Sequence, residues 1–285
     1  MLDRRTFLTA IVGLTARIAV AREDLAPLAR YERDTGGRIG LYAKNLTTGK
    51  TLLWRADERF VMCSTFKASL AGMVLSRVDR GQDSLSAVIR FGSKDVPDWH
   101  APVAKEHLAA GSMTVGEMCE AAVEHSDNTC ANLLLARAGG PAALTAFWRS
   151  TADAVTRLDH NEPALNRSPP GDPRDTTTPA AMAGTLQRLV LGEVLSPESR
   201  ERLKNWMVNC KTGANRLRAG LPVTWKVADK TGNNGEDAAA DIAIVWTLAG
   251  SSVVVCAYTQ GGKPKPERLT AVFTEIGRLV GERLG

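Results

Sequence analysis

The sequence lacks a long hydrophobic run and several motifs that mark common classes of protein. No apolar stretch in its 285 residues reaches the length of a transmembrane helix. It contains no GxGxxG, no P-loop and no GxSxG sequence, so the usual signatures of dinucleotide-binding proteins, P-loop nucleotidases and α/β-hydrolases are missing. The formal net charge is only +5, and no basic run with interleaved aromatic residues occurs. Nucleic acid is therefore not an expected partner.

Cysteine and histidine are scarce and are not spaced for metal binding. No CxxC pair and no HExxH or HxH sequence is found, which argues against structural zinc and against a catalytic metal. An odd cysteine count also excludes a dense disulfide framework. We therefore expect no metal ion and no cofactor. The residues concerned are Cys63, Cys119, Cys130, Cys210 and Cys256, with His100, His107, His125 and His160.

The N-terminus has the pattern of an export signal. Arg4 and Arg5 precede Thr6–Phe7–Leu8, as in a twin-arginine signal, and Ala19-Val20-Ala21 offers a cleavage site. Residues 1–21 are thus predicted to be a signal peptide that leaves no stable membrane anchor after cleavage. The alternative is a cytosolic N-terminal helix. Export predicts a periplasmic or secreted protein.

Strand patterns lie at both ends of the chain, and helical patterns fill its middle. Alternating hydrophobic residues predict a hairpin at 38–57 and strands at 223–230, 240–248 and 251–259. Helices are predicted at 23–35, 65–79, 115–124, 128–138, 141–149, 179–190, 197–208 and 266–283. The fold class is therefore α/β, of the α+β sandwich type, with an antiparallel five-stranded sheet flanked by terminal helices and an inserted all-helical lobe.

This arrangement predicts two lobes with a ligand site in the cleft between them. The α/β lobe comprises residues 22–61 and 210–285, and the helical lobe comprises residues 62–209. Within the helical lobe, residues 157–178 form a long segment rich in Pro, Asn and Asp. Its length is typical of a functional loop with its own packing.

The apolar segment 62–75 carries a hydroxyl and an ammonium group at its start. Ser64 and Lys67 are three residues apart, so on a helix they share a face. A serine hydroxyl needs a base to become a nucleophile, and a desolvated lysine can act as that base. Helix N-terminal N–H groups suit an oxyanion that forms beside the serine. Taken alone, SxxK is also consistent with an ordinary helix start.

Two further motifs follow at the ends of predicted elements. Ser126-Asp127-Asn128 stands immediately before an apolar helical run, where it could simply cap the helix. Lys230-Thr231-Gly232 ends an apolar strand, where it could simply be a turn. SxxK, SDN and KTG in this order are together the motif set of class A β-lactamases and penicillin-binding proteins.

Glu162 and Asn166 separate the two members of that set. They lie four residues apart in the long loop, where a carboxylate and an amide could hold a water between them. With "GDPRDTTTP" at 171–179 and "DIAIVW" at 241–246, the chain resembles a class A serine β-lactamase over nearly all of its length after residue 22. The serine β-lactamase and D,D-peptidase fold is then expected, with a cis peptide before Pro163.

The resemblance implies hydrolysis of the β-lactam amide bond of penicillins and cephalosporins through a serine acyl-enzyme, which gives antibiotic resistance. The only reactants would be the β-lactam and water, and the family expectation is a monomer. The implied catalytic residues are Ser64 as nucleophile, Lys67 as its base alone or together with Glu162, Ser126 as proton relay, and Glu162 as deacylating base. The implied substrate-binding residues are Asn128, Asn166, Lys230, Thr231, Gly232 and Asn233, with the N–H groups of Ser64 and Asn233 as oxyanion hole; His100 completes the list.

The chain departs from the family pattern at several positions. Many members carry a carboxylate-binding arginine nine residues after the KTG lysine, but here that residue is Ala239. Arg216 is expected to bind the substrate carboxylate instead, and Arg218 is a less favoured substitute. Carbapenem-hydrolysing members pair the cysteine before the nucleophile with one after KTG. Here Cys63 has no such partner, because the matching residue is Asn234. Carbapenem hydrolysis is therefore not expected.

At the neck of the long loop, His160 stands where many relatives have an arginine that pairs with the aspartate equivalent to Asp175. Two outcomes are open. The shorter histidine could leave the loop looser, or it could hydrogen-bond well enough that nothing changes.

Two other functions share part of the motif set. A D,D-peptidase or penicillin-binding protein would have Ser64, Lys67, SDN and KTG but no deacylating glutamate. A non-hydrolysing β-lactam sensor would be acylated and remain so. The Glu162–Asn166 pair argues against the peptidase, and a chromogenic cephalosporin assay would separate all three, because only the hydrolase turns over many equivalents.

Overall fold

The computed structural model describes residues 25–96, 100–167 and 169–285, so the predicted signal peptide lies outside the described residues. A five-stranded antiparallel sheet is present, as predicted. Its strands are β1 (Arg38–Asn45), β2 (Thr51–Trp54), β7 (Lys226–Asn233), β8 (Ala239–Trp246) and β9 (Ser252–Gln260), in the spatial order β2-β1-β9-β8-β7. The first strand, β1, and the last, β9, are neighbours in the sheet, where Ile39 pairs with Thr259.

One face of the sheet is covered by the terminal helices α1 (Ala26–Thr35) and α10 (Pro266–Leu284) and by the short helix α9 (Leu217–Gly220). Leu28 of α1 and Phe273 of α10 are fully buried against this face. A single apolar stripe on each helix suffices here because their other sides face solvent.

The opposite face of the sheet packs on the helical part of the chain, residues 60–208. Its central helix, α2, is buried along most of its length, which explains why its sequence is apolar on all sides. The elements are β3 (Phe60–Val61), α2 (Phe66–Asp79), β4 (Val88–Arg90), α3 (Pro102–Glu106), β5 (Ser112–Thr114), α4 (Val115–Glu124), α5 (Asn128–Ala138), α6 (Gly140–Ser150), β6 (Thr176–Thr177), α7 (Pro179–Val190) and α8 (Pro197–Val208). β3 pairs with β6, and β4 with β5.

Local capping residues fix several helix ends. Thr114 and Glu117 exchange hydrogen bonds as a capping box at the start of α4. Gly139 adopts a left-handed conformation (φ 102°) that ends α5 and leads into α6. No helix among the described residues is long and apolar enough to span a bilayer.

Candidate active site

Ser64 and Lys67 lie at the start of α2, next to the edge of the sheet. Ser64 is in the 3₁₀ turn Cys63–Thr65, which leads into α2. The Lys67 side chain is fully buried, and its Nζ donates to the Ser126 carbonyl (2.7 Å) and to Asn128 Oδ1 (2.5 Å). Burial lowers the pKa of Lys67, and the Glu162 carboxylate opposes this shift. Burial thus disfavours the charged form of the lysine, while Glu162 favours it.

Glu162 contacts both of these residues. Ser64 Oγ donates to Glu162 Oε1 at 2.9 Å, and Lys67 Nζ lies 3.1 Å from the same oxygen. The other carboxylate oxygen accepts from Asn166 Nδ2 at 2.6 Å. The structure thus brings together the predicted nucleophile, its candidate bases and the predicted water-holding amide. The Glu162–Pro163 peptide is cis, as expected.

Asn132, which no sequence motif identified as a site residue, fixes the backbone of Glu162. Its side chain donates to the Glu162 carbonyl (2.9 Å) and accepts from the Glu162 N–H (3.0 Å). The signal was its spacing, because Asn132 follows Asn128 by four residues and therefore lies on the same face of α5.

The neck of the loop is closed by Asp175. Its Oδ1 accepts from the N–H groups of Asp159 (2.7 Å) and His160 (3.0 Å), and its Oδ2 lies 2.6 Å from His160 Nδ1. This geometry favours the second of the two outcomes considered for His160, in which the histidine replaces the arginine contact.

Ser126 and Lys230 are in direct contact through their side chains. Lys230 Nζ donates to Ser126 Oγ at 2.9 Å and to the Thr231 carbonyl at 2.8 Å. Burial lowers the pKa of Lys230 to about 8. Ser126 has φ of 59°, an uncommon conformation for a residue other than glycine that often marks a functional site. Asp127 has a structural role, because it caps α5 by accepting from Cys130 N.

The end of β7 passes directly beside the nucleophile. A Cβ on Gly232 would lie 2.9 Å from the Met62 carbonyl and 3.1 Å from Ser64 N, so only glycine lets the strand approach this closely. Thr231 is buried in the strand, and the exposed Asn233 side chain accepts from Gly235 N.

Arg216 and Arg218 differ in what they contact. Arg216 is 5% exposed, and its Nη1 donates to the carbonyls of Gly232 (2.8 Å) and Ala240 (2.6 Å), beside the end of β7. Arg218 instead pairs with Asp229. Of the two, Arg216 is the arginine that reaches the KTG segment.

His100 and Cys63 lie at the margins of this group. The exposed His100 contacts the site through its backbone, whose carbonyl accepts from Asn128 N, while its Nε2 lies 2.9 Å from the His125 carbonyl. Cys63 is buried and has no disulfide partner, and burial raises the pKa of its thiol. Among residues 25–96, 100–167 and 169–285, no cluster of three or more His, Cys, Asp or Glu side chains could hold a metal ion.

Comparisons with known proteins agree with this geometry. A family model described as "Beta-lactamase enzyme family" matches residues 21–284. The chain is 46% identical to "Beta-lactamase L2" of Stenotrophomonas maltophilia over all of this chain and 93% of that protein. It is 42% identical to "Carbapenem-hydrolyzing beta-lactamase KPC" of Klebsiella oxytoca, covering 91% of this chain and 88% of that protein. Among solved structures, a class A β-lactamase of the last common ancestor of Gram-negative bacteria superposes with a TM-score of 0.87 at 51% identity, covering 91% and 98% of the two chains.

Proposed function

The chain belongs to the class A β-lactamase family, and from that membership we propose how its own residues divide the reaction. The enzyme hydrolyses the β-lactam amide bond through a serine acyl-enzyme. The observation that carries the division of roles is the contact of Glu162 with both Ser64 and Lys67 inside one buried cluster.

In the first half-reaction, Ser64 Oγ attacks the lactam carbonyl and loses its proton. Glu162 Oε1 already accepts a hydrogen bond from this hydroxyl, and Lys67 Nζ contacts the same carboxylate oxygen. The two bases can therefore share the proton. The Ser64 N–H beside β7 and the Asn233 N–H stabilise the oxyanion. Ser126, which accepts a hydrogen bond from Lys230, delivers its hydroxyl proton to the lactam nitrogen as the C–N bond breaks, and the proton taken from Ser64 replaces it.

In the second half-reaction, Glu162 removes a proton from water, which attacks the acyl-enzyme ester. The ester C–O bond then breaks, and this proton is returned to Ser64 Oγ. Asn166 Nδ2 orients the carboxylate for this step. The substrate carboxylate is bound by Lys230, Thr231 and Arg216. The rest of the substrate contacts Asn128 and the Gly232–Asn233 segment, and His100 lies at the rim of the site.

A chromogenic cephalosporin tests the proposal against its two alternatives. We expect many equivalents to be hydrolysed per enzyme, and no hydrolysis by Ser64→Ala. A single burst equal to the enzyme concentration would indicate a sensor or a penicillin-binding protein instead. A parallel assay with a carbapenem tests the expectation, drawn from the unpaired Cys63, that this enzyme does not hydrolyse carbapenems.

We also propose that the enzyme is exported and acts as a monomer. Export is supported by the Arg4–Arg5 pattern and the Ala19–Ala21 cleavage site in the sequence. Replacing both arginines by lysine should leave the precursor in the cytoplasm if the twin-arginine route is used, and fractionation with immunoblotting would show it. Gel filtration with light scattering would give the oligomeric state.

A further inference from the structure

Two aspartates are buried on the sheet face that the terminal helices cover. Ile242 of β8 belongs to the opposite core, so its neighbour Asp241 points toward the terminal helices. Val227 of β7 packs on the terminal-helix side, so Asp229 and Thr231 point the same way. Thr231 and Asp241 are direct partners in the register of the two strands. The KTG threonine therefore has a buried carboxylate as its cross-strand neighbour.

These aspartates hold the segment 212–218 against the edge of the sheet. Leu217 N donates to Asp241 Oδ2 at 3.1 Å, and Arg218 Nε donates to Asp229 Oδ1 at 2.6 Å. The segment also approaches Asp229 at Gly213, where a Cβ would lie 1.8 Å from Asp229 Oδ2. Only glycine permits this approach. The segment is therefore attached to both aspartates.

The same segment presents two polar groups to the end of β7. Thr212 Oγ1 lies 2.5 Å from Thr231 Oγ1, so one hydroxyl orients the other. The Arg216 guanidinium donates to the carbonyls of Gly232 and Ala240, which form the register pair next to Thr231–Asp241. These groups converge on the region where the proposed function puts the substrate carboxylate.

Arg216 needs a counter-charge because it is almost completely buried. An unpaired buried charge is strongly unfavourable. Burial lowers the pKa of Arg216, and Asp241 is the main neighbour that opposes this shift. Asp241 is itself fully buried, and its Oδ1 has no hydrogen-bond partner. Burial and the nearby Asp229 raise the pKa of Asp241, whereas Arg216 opposes this shift, so Arg216 and Asp241 each favour the charged form of the other. The proposed mechanism gives neither aspartate a task.

We propose that Asp241, assisted by Asp229, is a positioning residue that holds the segment 212–218 and keeps Arg216 aligned for the substrate carboxylate. The inference rests on the proposed role of Arg216. It assigns a function in substrate recognition to a carboxylate that does not touch the substrate.

The test compares Asp241→Asn in the wild type and in an Arg216→Ala background. Asparagine keeps the size of the side chain but removes the counter-charge. In the wild type we expect KM for benzylpenicillin to rise about 10-fold with kcat nearly unchanged, as for a lost charge-assisted hydrogen bond. In the Arg216→Ala background, Asp241→Asn should raise KM no further.

Asp153→Asn is the matched control. Asp153 is equally inaccessible, and it accepts hydrogen bonds from Thr156 and Thr185 in the helical part of the chain. Its replacement should lower the melting temperature without changing KM. This comparison separates loss of a buried aspartate in general from loss of Asp241.

Each outcome decides the question. If Arg216→Ala leaves KM unchanged, both the proposed role of Arg216 and this inference are wrong. If Arg216→Ala raises KM but Asp241→Asn changes only stability, or if its effect on KM persists without Arg216, the inference alone is overturned. Should Asp241→Asn not fold, Asp229→Asn decides in the same two backgrounds, with a smaller KM increase expected only where Arg216 is present.

Discussion

Replacing Glu162 by glutamine would separate the two half-reactions. Glutamine retains the size of the side chain and an oxygen that can accept from Ser64, but it removes the charge. The pKa of Lys67, already lowered by burial, would fall further because Glu162 is the main charge that opposes the shift. A neutral lysine can accept the Ser64 proton, so acylation should continue. Deacylation, in contrast, loses its only proposed base.

The size of the effect follows from the contacts. A positioned general base accelerates a reaction by about 10²–10⁴-fold, which is about 3–5 kcal/mol of activation free energy. We expect the deacylation rate of Glu162→Gln to fall by that factor. The folded state should be affected less, because Lys67 keeps the acceptors Ser126 O and Asn128 Oδ1 after its ion pair is lost.

Intact-protein mass spectrometry after mixing with benzylpenicillin would show the accumulated adduct, and a chromogenic cephalosporin would give a burst of one equivalent followed by a slow phase. The control is Glu124→Gln, since Glu124 is similarly buried but lies on α4, where its carboxylate is 3.9 Å from Lys211 Nζ. It should turn over like the wild type. Steady turnover by Glu162→Gln within about tenfold of the wild-type rate would refute the assignment of Glu162 as the deacylating base.

Three further predictions concern pH, the loop and the sheet. Burial lowers the pKa of Lys230 to about 8, so the charge of Lys230 is lost as pH rises through that value. In a steady-state pH series, KM for benzylpenicillin should therefore increase above about pH 8. Lys230→Arg should move that increase to higher pH. Asp175→Ala removes three accepted hydrogen bonds at the neck of the loop and should lower kcat about 10-fold. His160→Ala removes only one of them and should lower kcat less than about 3-fold. Equal effects of the two variants on kcat would contradict this role of Asp175. Gly40→Ala would place a Cβ 2.5 Å from an aromatic ring and should lower the free energy of unfolding in urea by about 1–3 kcal/mol, whereas Gly92→Ala meets nothing within 4 Å and should be nearly neutral.

The long elements of the fold could be predicted from the sequence because their ends carry local signals. Proline stands at the start of α7, α8 and α10, Thr114 caps α4, and Gly139 ends α5. The short strands β3 to β6 could not be predicted in the same way. Two or three residues show no periodicity, and their pairing depends on distant parts of the chain.

The candidate site shows a similar division. Ser64, Lys67 and Glu162 could be selected because their chemistry and motif spacing are visible in the sequence. Asn132 and Asp241 could not be assigned roles, because their partners are backbone atoms or residues far along the chain. A buried aspartate within an apolar strand, as in "DIAIVW", is nevertheless a local inconsistency that a search for buried charges would have flagged.

The pairing of β1 with β9 also has a consequence for how the chain folds. Arg38 pairs with Gln260, so the central strands of the sheet belong to opposite ends of the sequence. Such contacts are slow to form, because a long loop must close before they contribute any stability. During synthesis, β1 would leave the ribosome long before β9 exists, with one of its edges unpaired. A ribosome-bound chain truncated before residue 252 should therefore remain protease-sensitive near β1, although the helical part could already be collapsed.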